Sequence, residues 1–275
     1  MIQSPGIARM PIQKIQDTDV LEASDELAVE EPLEIRLQYG PAGERREQSI
    51  SITMRTPGND VQLATGFLYT EGILPDAGAV KGTYTGIPNS ILISVREDVS
   101  PDVGKLQRHF YTTSSCGVCG KSSLDSLRSV CPSPAPATRW HLTPEMLHPL
   151  PGLLRQQQEI FGSTGGLHAC ALFHRQGPLL ALQEDIGRHN ALDKLIGWAF
   201  QEGQLPLSDH ILLLSGRACF ELIQKAAMAG IKVVAAVGAP SSLAVELAKE
   251  YDMTLIGFLR DQRFNIYAGA GRIKI

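Results

Sequence analysis

Apolar residues change rhythm near the middle of this chain. Over residues 33–39 (LEIRLQY) and 49–55 (SISITMR) apolar and polar positions alternate, the period of half-buried strands. The turn-rich GPAGERRE between them predicts a hairpin. Asn59 or Asp60 can cap a helix that turns Val61, Leu63, Ala64, Phe67 and Leu68 inward, and SILISV at 90–95 predicts another strand. The first twenty or so residues carry no clear period and are expected to form a loosely packed arm.

The second half alternates differently. Residues 167–174 and 179–182 predict strands, and IGRHNALDKLIGWAF predicts a helix. Apolar HILLLS, helical CFELIQKAAMAG, apolar KVVAAVG, helical SLAVELAKEY and apolar TLIGF follow. Short apolar strands alternating with helices imply an α/β layer with substantial parallel pairing. Between the halves lies a small, polar loop, TTSSCGVCGKSS, after which Ser122 and Asp125 have capping-box spacing. A proline-rich connector, CPSPAPATRW, precedes a helix start at Thr143-Pro144-Glu145. We therefore predict an α/β protein: an N-terminal α+β portion over residues 1–138, carrying the cysteine loop at 112–123, and a C-terminal α/β domain over 139–275.

Composition removes several classes of function. The 275 residues carry a net charge of −4, which argues against a general nucleic-acid binder needing a basic face. No run approaches the roughly 18–20 apolar residues of a membrane span, and the first residues lack the apolar core of a signal peptide. A cytoplasmic protein is expected. Five cysteines, scattered and odd in number, do not form a disulfide framework.

Cys116 and Cys119 lie in CGVCG, flanked by glycines and followed by Lys121. A structural zinc site needs four ligands and this pair supplies two; no second CxxC follows. A thioredoxin-type pair would open a helix directly after a buried strand, whereas this one follows a polar stretch. The reading left is a nucleophilic thiolate that must travel, favoured by Lys121 and the following helix start, and able to hold sulfur as a persulfide. Cys170 and Cys219 sit in apolar runs, where cysteine acts as a small core hydrophobe.

Four polar segments fall at successive strand ends: GGLHAC (165–170), EDIGRHNALDK (184–194), SGRACFELIQK (215–225) and FLRDQRFNIY (258–267). In open α/β sheets ligands bind beyond the carboxyl ends of strands. Asp185 can cap its helix; His189 and Asp193, spaced i, i+4, are expected to hydrogen-bond and to face a ligand together with Arg188. Arg188, Arg217, Arg260 and Arg263 make a locally basic set suited to a phosphate-bearing, nucleotide-like ligand, with guanosine diphosphate as a test compound. His168 alone reads as a packed histidine. Neither GxxxxGK[ST] nor GxGxxG occurs, and the H-x-E…P-C-x-x-C signature of a zinc deaminase is absent.

Taken together, CGVCG, EDIGRHNALDKLIG, SGRACFELIQKA, GAPSSLAVELA and GFLR–RFNIY resemble the FdhD family, sulfur carriers for formate dehydrogenase. The resemblance implies a three-layer C-terminal domain similar to the cytidine deaminase fold without its zinc site, and a homodimer. It implies a sulfurtransferase carrying sulfur from a cysteine desulfurase to the molybdenum (or tungsten) bis-guanine-dinucleotide cofactor of formate dehydrogenase. A non-catalytic chaperone binding that enzyme and its cofactor is the alternative. By position, Cys116 resembles the family's persulfide cysteine, with Cys119 as its partner. Phe258, Leu259, Arg260, Asp261, Gln262 and Arg263 fall on the family's cofactor-binding segment. The chain departs from the family at Asp261-Gln262, at Leu167, where threonine is usual, and at Cys219, where serine is common.

Overall fold

A computed structural model describes residues 5–101 and 140–275. Cys116, Cys119, the capping box at Ser122 and the boundary between 138 and 139 lie outside the described residues.

The chain opens with strands β1 (Ile7–Gln16) and β2 (Asp19–Ala28), paired antiparallel as an isolated two-stranded sheet. This corrects the expected patternless arm. Most of the hairpin faces solvent on both sides, so no buried face imposes a period on its sequence.

Strands β3 (Glu31–Tyr39), β4 (Arg46–Arg55), β5 (Val80–Ile87) and β6 (Ser90–Val95) form a second sheet, ordered β4-β3-β6-β5. The predicted β3–β4 hairpin is antiparallel, whereas β3 and β6 run parallel. Helix α1 (Asp60–Thr70) lays Leu63, Ala64 and Leu68 in one apolar cluster with Leu33, Ile35 and Leu37 of β3 and Ile91 and Ile93 of β6. Its start differs from expectation. Asn59 adopts a left-handed conformation and makes no cap, while Asp60 sits in the first turn and pairs with Arg55 at 2.9 Å.

The C-terminal half contains a six-stranded mixed sheet of β7 (His168–His174), β8 (Leu179–Asp185), β9 (His210–Leu214), β10 (Val233–Ala236), β11 (Thr254–Arg260) and β12 (Arg263–Ala268). Its order is β12-β11-β10-β9-β7-β8. Pairing is parallel only among β9, β10 and β11. Both faces are covered. Short helices α2 (Pro144–Leu147) and α3 (Leu150–Gln157) pack on one face through Leu147, Leu150 and Leu154, against Ala171, Phe173 and Leu213. After the brief α4 (Glu159–Thr164), helices α5 (Arg188–Gln201), α6 (Phe220–Met228) and α7 (Ser242–Glu250) cover the other face, against Leu172, Leu212 and Val234. Burial on both faces explains why LLL and VVAA run apolar without alternation.

The halves meet along α1 and α5, whose backbones touch. A Cβ on Gly66 would overlap the Asp193 carbonyl, and one on Gly197 would overlap the Gln62 carbonyl, so only glycine permits this approach.

Candidate functional site at the strand ends

The register puts one set of chain ends together. His168, opening β7, pairs with Asp185, closing β8, and Cys170 pairs with Leu214 near the end of β9. The parallel strands β10 and β11 end on the same side. All four polar segments therefore converge on one edge of the sheet, as the strand-end reading expected.

A buried pair fixes the start of α5. Asp185 is fully buried, and its carboxylate accepts from the Lys194 ammonium at 2.7 Å, the Gly187 N–H at 2.8 Å, the Asn190 amide at 3.1 Å and the Thr56 N–H at 3.2 Å. Asp185 does not cap the helix in the expected sense, since Gly187 holds that position. It anchors the turn that presents Arg188 and His189. One turn further along, Asp193 faces α1 and α6, bonding Thr70 and Lys225 at 2.9 Å each. The expected His189–Asp193 hydrogen bond is absent, because a buried ammonium from α6 outcompetes a neighbour on the same helix. Burial raises the Asp193 pKa, and Lys225 opposes the rise. Asp193 is thus part of the helix seam and lies away from the strand ends.

His189 turns to α6 instead. Its Nε2 lies 2.9 Å from Glu221 Oε2 and 3.3 Å from Cys219 Sγ. Burial pushes the imidazole pKa down, but the bonds to Cys219 and Glu221 prevail and hold it up at about 9. Burial likewise pushes the Cys219 thiol up; the His189 hydrogen bond and charge, the Leu222 N–H and Arg188 outweigh it and bring it to about 7. Cys219 is not the inert core hydrophobe expected from its apolar run. Cys170 is: it is buried, and desolvation drives its thiol far above the ordinary range.

Beside this cluster opens a cleft of about 560 Å³, lined by Arg155, Gln158, Phe161, His168, Ser215 and Gly216 among others. Gln158 is 6 % exposed, and its Nε2 has no hydrogen-bond partner among the described residues. Glu184 fixes the α4 wall by accepting from the Ile160 and Phe161 N–H groups at 3.0 Å. Arg155 lies over the Phe161 ring at 4.1 Å. Burial, then the positive charges of Arg188, His189 and Arg217, holds His168 below the usual histidine range. Sequence reading missed Gln158 and Arg155, whose helix shows no ligand signature.

The segment at 258–263 forms the β11–β12 hairpin. Asp261 and Gln262 both take positive φ, 52° and 55°, as its two-residue turn, so residues other than glycine can make it here. Phe258 is half-buried, also with positive φ, and the Arg260 guanidinium lies 6.0 Å from its ring centroid. Arg260 and Arg263 face each other across the pair, exposed, two like charges that an anion would relieve. Leu259 is buried in the core and presents no side chain to a ligand. Arg188 is half-buried and Arg217 exposed. The strand ends thus bring Arg188, His189 and Arg217 to the edge that also carries the Arg260/Arg263 hairpin, while Asp193 and Leu259 are packed inside.

Residues 28–274 match the FdhD/NarQ family. The chain belongs to that family. Proteins named sulfur carrier protein FdhD from Streptomyces avermitilis and Mycobacterium tuberculosis are 49% and 45% identical, each over 97% of this chain and 95% and 98% of theirs. One of the same name from Saccharolobus solfataricus is 38% identical over 97% of this chain and 98% of its own. A crystal structure from Desulfotalea psychrophila, described provisionally as a formate dehydrogenase accessory protein, superposes with a TM-score of 0.74 at 21% identity, covering 98% of this chain and all of that one. That likeness shows a shared fold. Among the described residues, no helix is long and apolar enough to cross a membrane.

Proposed function

We propose that this chain is a sulfurtransferase for formate dehydrogenase maturation, carrying sulfur on Cys116 from a cysteine desulfurase to a bis-guanine-dinucleotide molybdenum or tungsten cofactor, its substrate. The observation that carries the reading is the strand-end cleft in an FdhD-family chain. Its buried Gln158 amide has no acceptor among the described residues, and a purine carbonyl such as that of guanine would supply one. The arginines along the same edge suit the phosphates. The mixed sheet, with helices after β8 and β9, supports kinship of this half with the cytidine deaminase fold.

In this reading the Cys116 thiolate attacks the sulfane sulfur of the donor's persulfide, forming Cys116–S–SH and releasing the donor thiolate. Cys119 then attacks the inner sulfur, giving a Cys116–Cys119 disulfide and hydrosulfide. The test is mass spectrometry after incubation with a cysteine desulfurase and cysteine, together with activation of formate dehydrogenase. Cys116→Ala should lose both the added sulfur and activation while keeping guanosine diphosphate binding. Full activation by Cys116→Ala protein would instead favour a cofactor-binding chaperone.

A further inference from the structure

We infer that Cys219 is a second sulfur-accepting thiol, held against the His189 imidazole at the strand ends and able to take a sulfane sulfur from a persulfide. This rests on the sulfur-carrier reading for its substrate class, but on a different part of the molecule for its chemistry.

Cys219 is the residue immediately before α6, with an extended backbone. There its sulfur lies 3.3 Å from the His189 Nε2. A cationic donor held beside a sulfur favours the thiolate. Glu221, in the first turn of α6, lies 2.9 Å from the same nitrogen and favours a protonated His189, so one imidazolium faces both the carboxylate and the thiol. His168, on β7, feels the charges of Arg188, His189 and Arg217, which with burial disfavour its protonation. Cys219 is half-buried and so remains accessible, whereas Cys170, in the same half, is buried, with the Asp185 and Asp193 charges opposing its thiolate.

The step balances without an oxidant. The Cys219 thiolate attacks the outer sulfur of R–S–SH; the new bond gives Cys219–S–SH, and the broken one releases R–S⁻. His189 holds the thiolate in place before attack and is a positioning residue.

The test uses full-length Cys116→Ala/Cys119→Ala protein, with and without Cys219→Ser, exposed to glutathione persulfide and mapped by peptide mass spectrometry. Sulfur should add at Cys219, with Cys170 as the unreactive control. Iodoacetamide alkylation of Cys219 should rise with a midpoint near pH 7. In His189→Gln protein the midpoint should move up towards the ordinary thiol value, slowing alkylation at neutral pH roughly tenfold. If wild-type protein loads its loop thiols but Cys219 takes no sulfur in the Cys116→Ala/Cys119→Ala protein, this inference fails and the carrier reading stands. If Cys219 loads while Cys116 does not, the reverse holds. Stoichiometric zinc that shields Cys219 from iodoacetamide until chelated would also overturn it, making His189, Cys219 and Glu221 a metal site.

Discussion

Replacing Lys194 by Met tests whether the Asp185 pair holds the strand-end edge together. Lys194 is 2 % exposed and Asp185 fully buried, and the ammonium also donates to the Thr56 carbonyl at 2.8 Å. Methionine fills similar space but leaves the carboxylate without its counter-charge and the carbonyl without its donor. Removing one member of a buried ion pair costs about 3–5 kcal/mol. Three N–H donors, from Thr56, Gly187 and Asn190, still solvate Asp185, which places the expected loss at the lower end, about 3 kcal/mol. At roughly 2–4 °C per kcal/mol for a chain of this size, the melting temperature should fall by roughly 6–12 °C. Thermal unfolding followed by circular dichroism reads this directly. Lys249→Met, at an exposed position of α7, serves as control and should stay within about 0.5 kcal/mol of wild type. A Lys194→Met protein melting within about 2 °C of wild type would refute the pair as an anchor.

Gly197→Ala should be destabilising by more than the ordinary overpacking range of about 1–3 kcal/mol, because the new Cβ meets the Gln62 backbone and no side chain can yield. Gly162→Ala, in open space on α4, should be neutral or better in the same melting assay. His168 is held below the usual histidine range, so its contribution to stability is intact above about pH 6.5 and is lost as pH falls from there towards its lowered value. His168→Gln should therefore flatten the urea midpoint between about pH 7 and 5, and parallel curves for the two proteins would count against the assignment. Arg263→Ala should weaken guanosine diphosphate binding by calorimetry roughly tenfold at low salt, with the gap narrowing as salt rises. Equal affinity for the two proteins would remove the hairpin from the site.

Much of the α/β half was determined by the sequence alone. Strands buried on both faces run apolar, and helices between them show the spacing of one buried stripe, so ILLL, VVAA and the helices around them declare themselves without tertiary knowledge. Their alternation also placed the polar segments at strand ends, where the chain brings them together. Exposed strands carry no such signal. β1, β2 and β5 are held by backbone hydrogen bonds, which do not depend on side-chain polarity, and few of their side chains are buried. Helical spacing allowed a His189–Asp193 bond, but spacing cannot weigh it against Lys225, 32 residues away, or against Glu221. The same holds for Cys219. Its place after a strand-end SGR and before a helix was a visible sign of a helix N-terminus, yet the imidazole that tunes it comes from another helix. Periodicity reports which residues leave water; which charge meets which is decided only when separate elements pack.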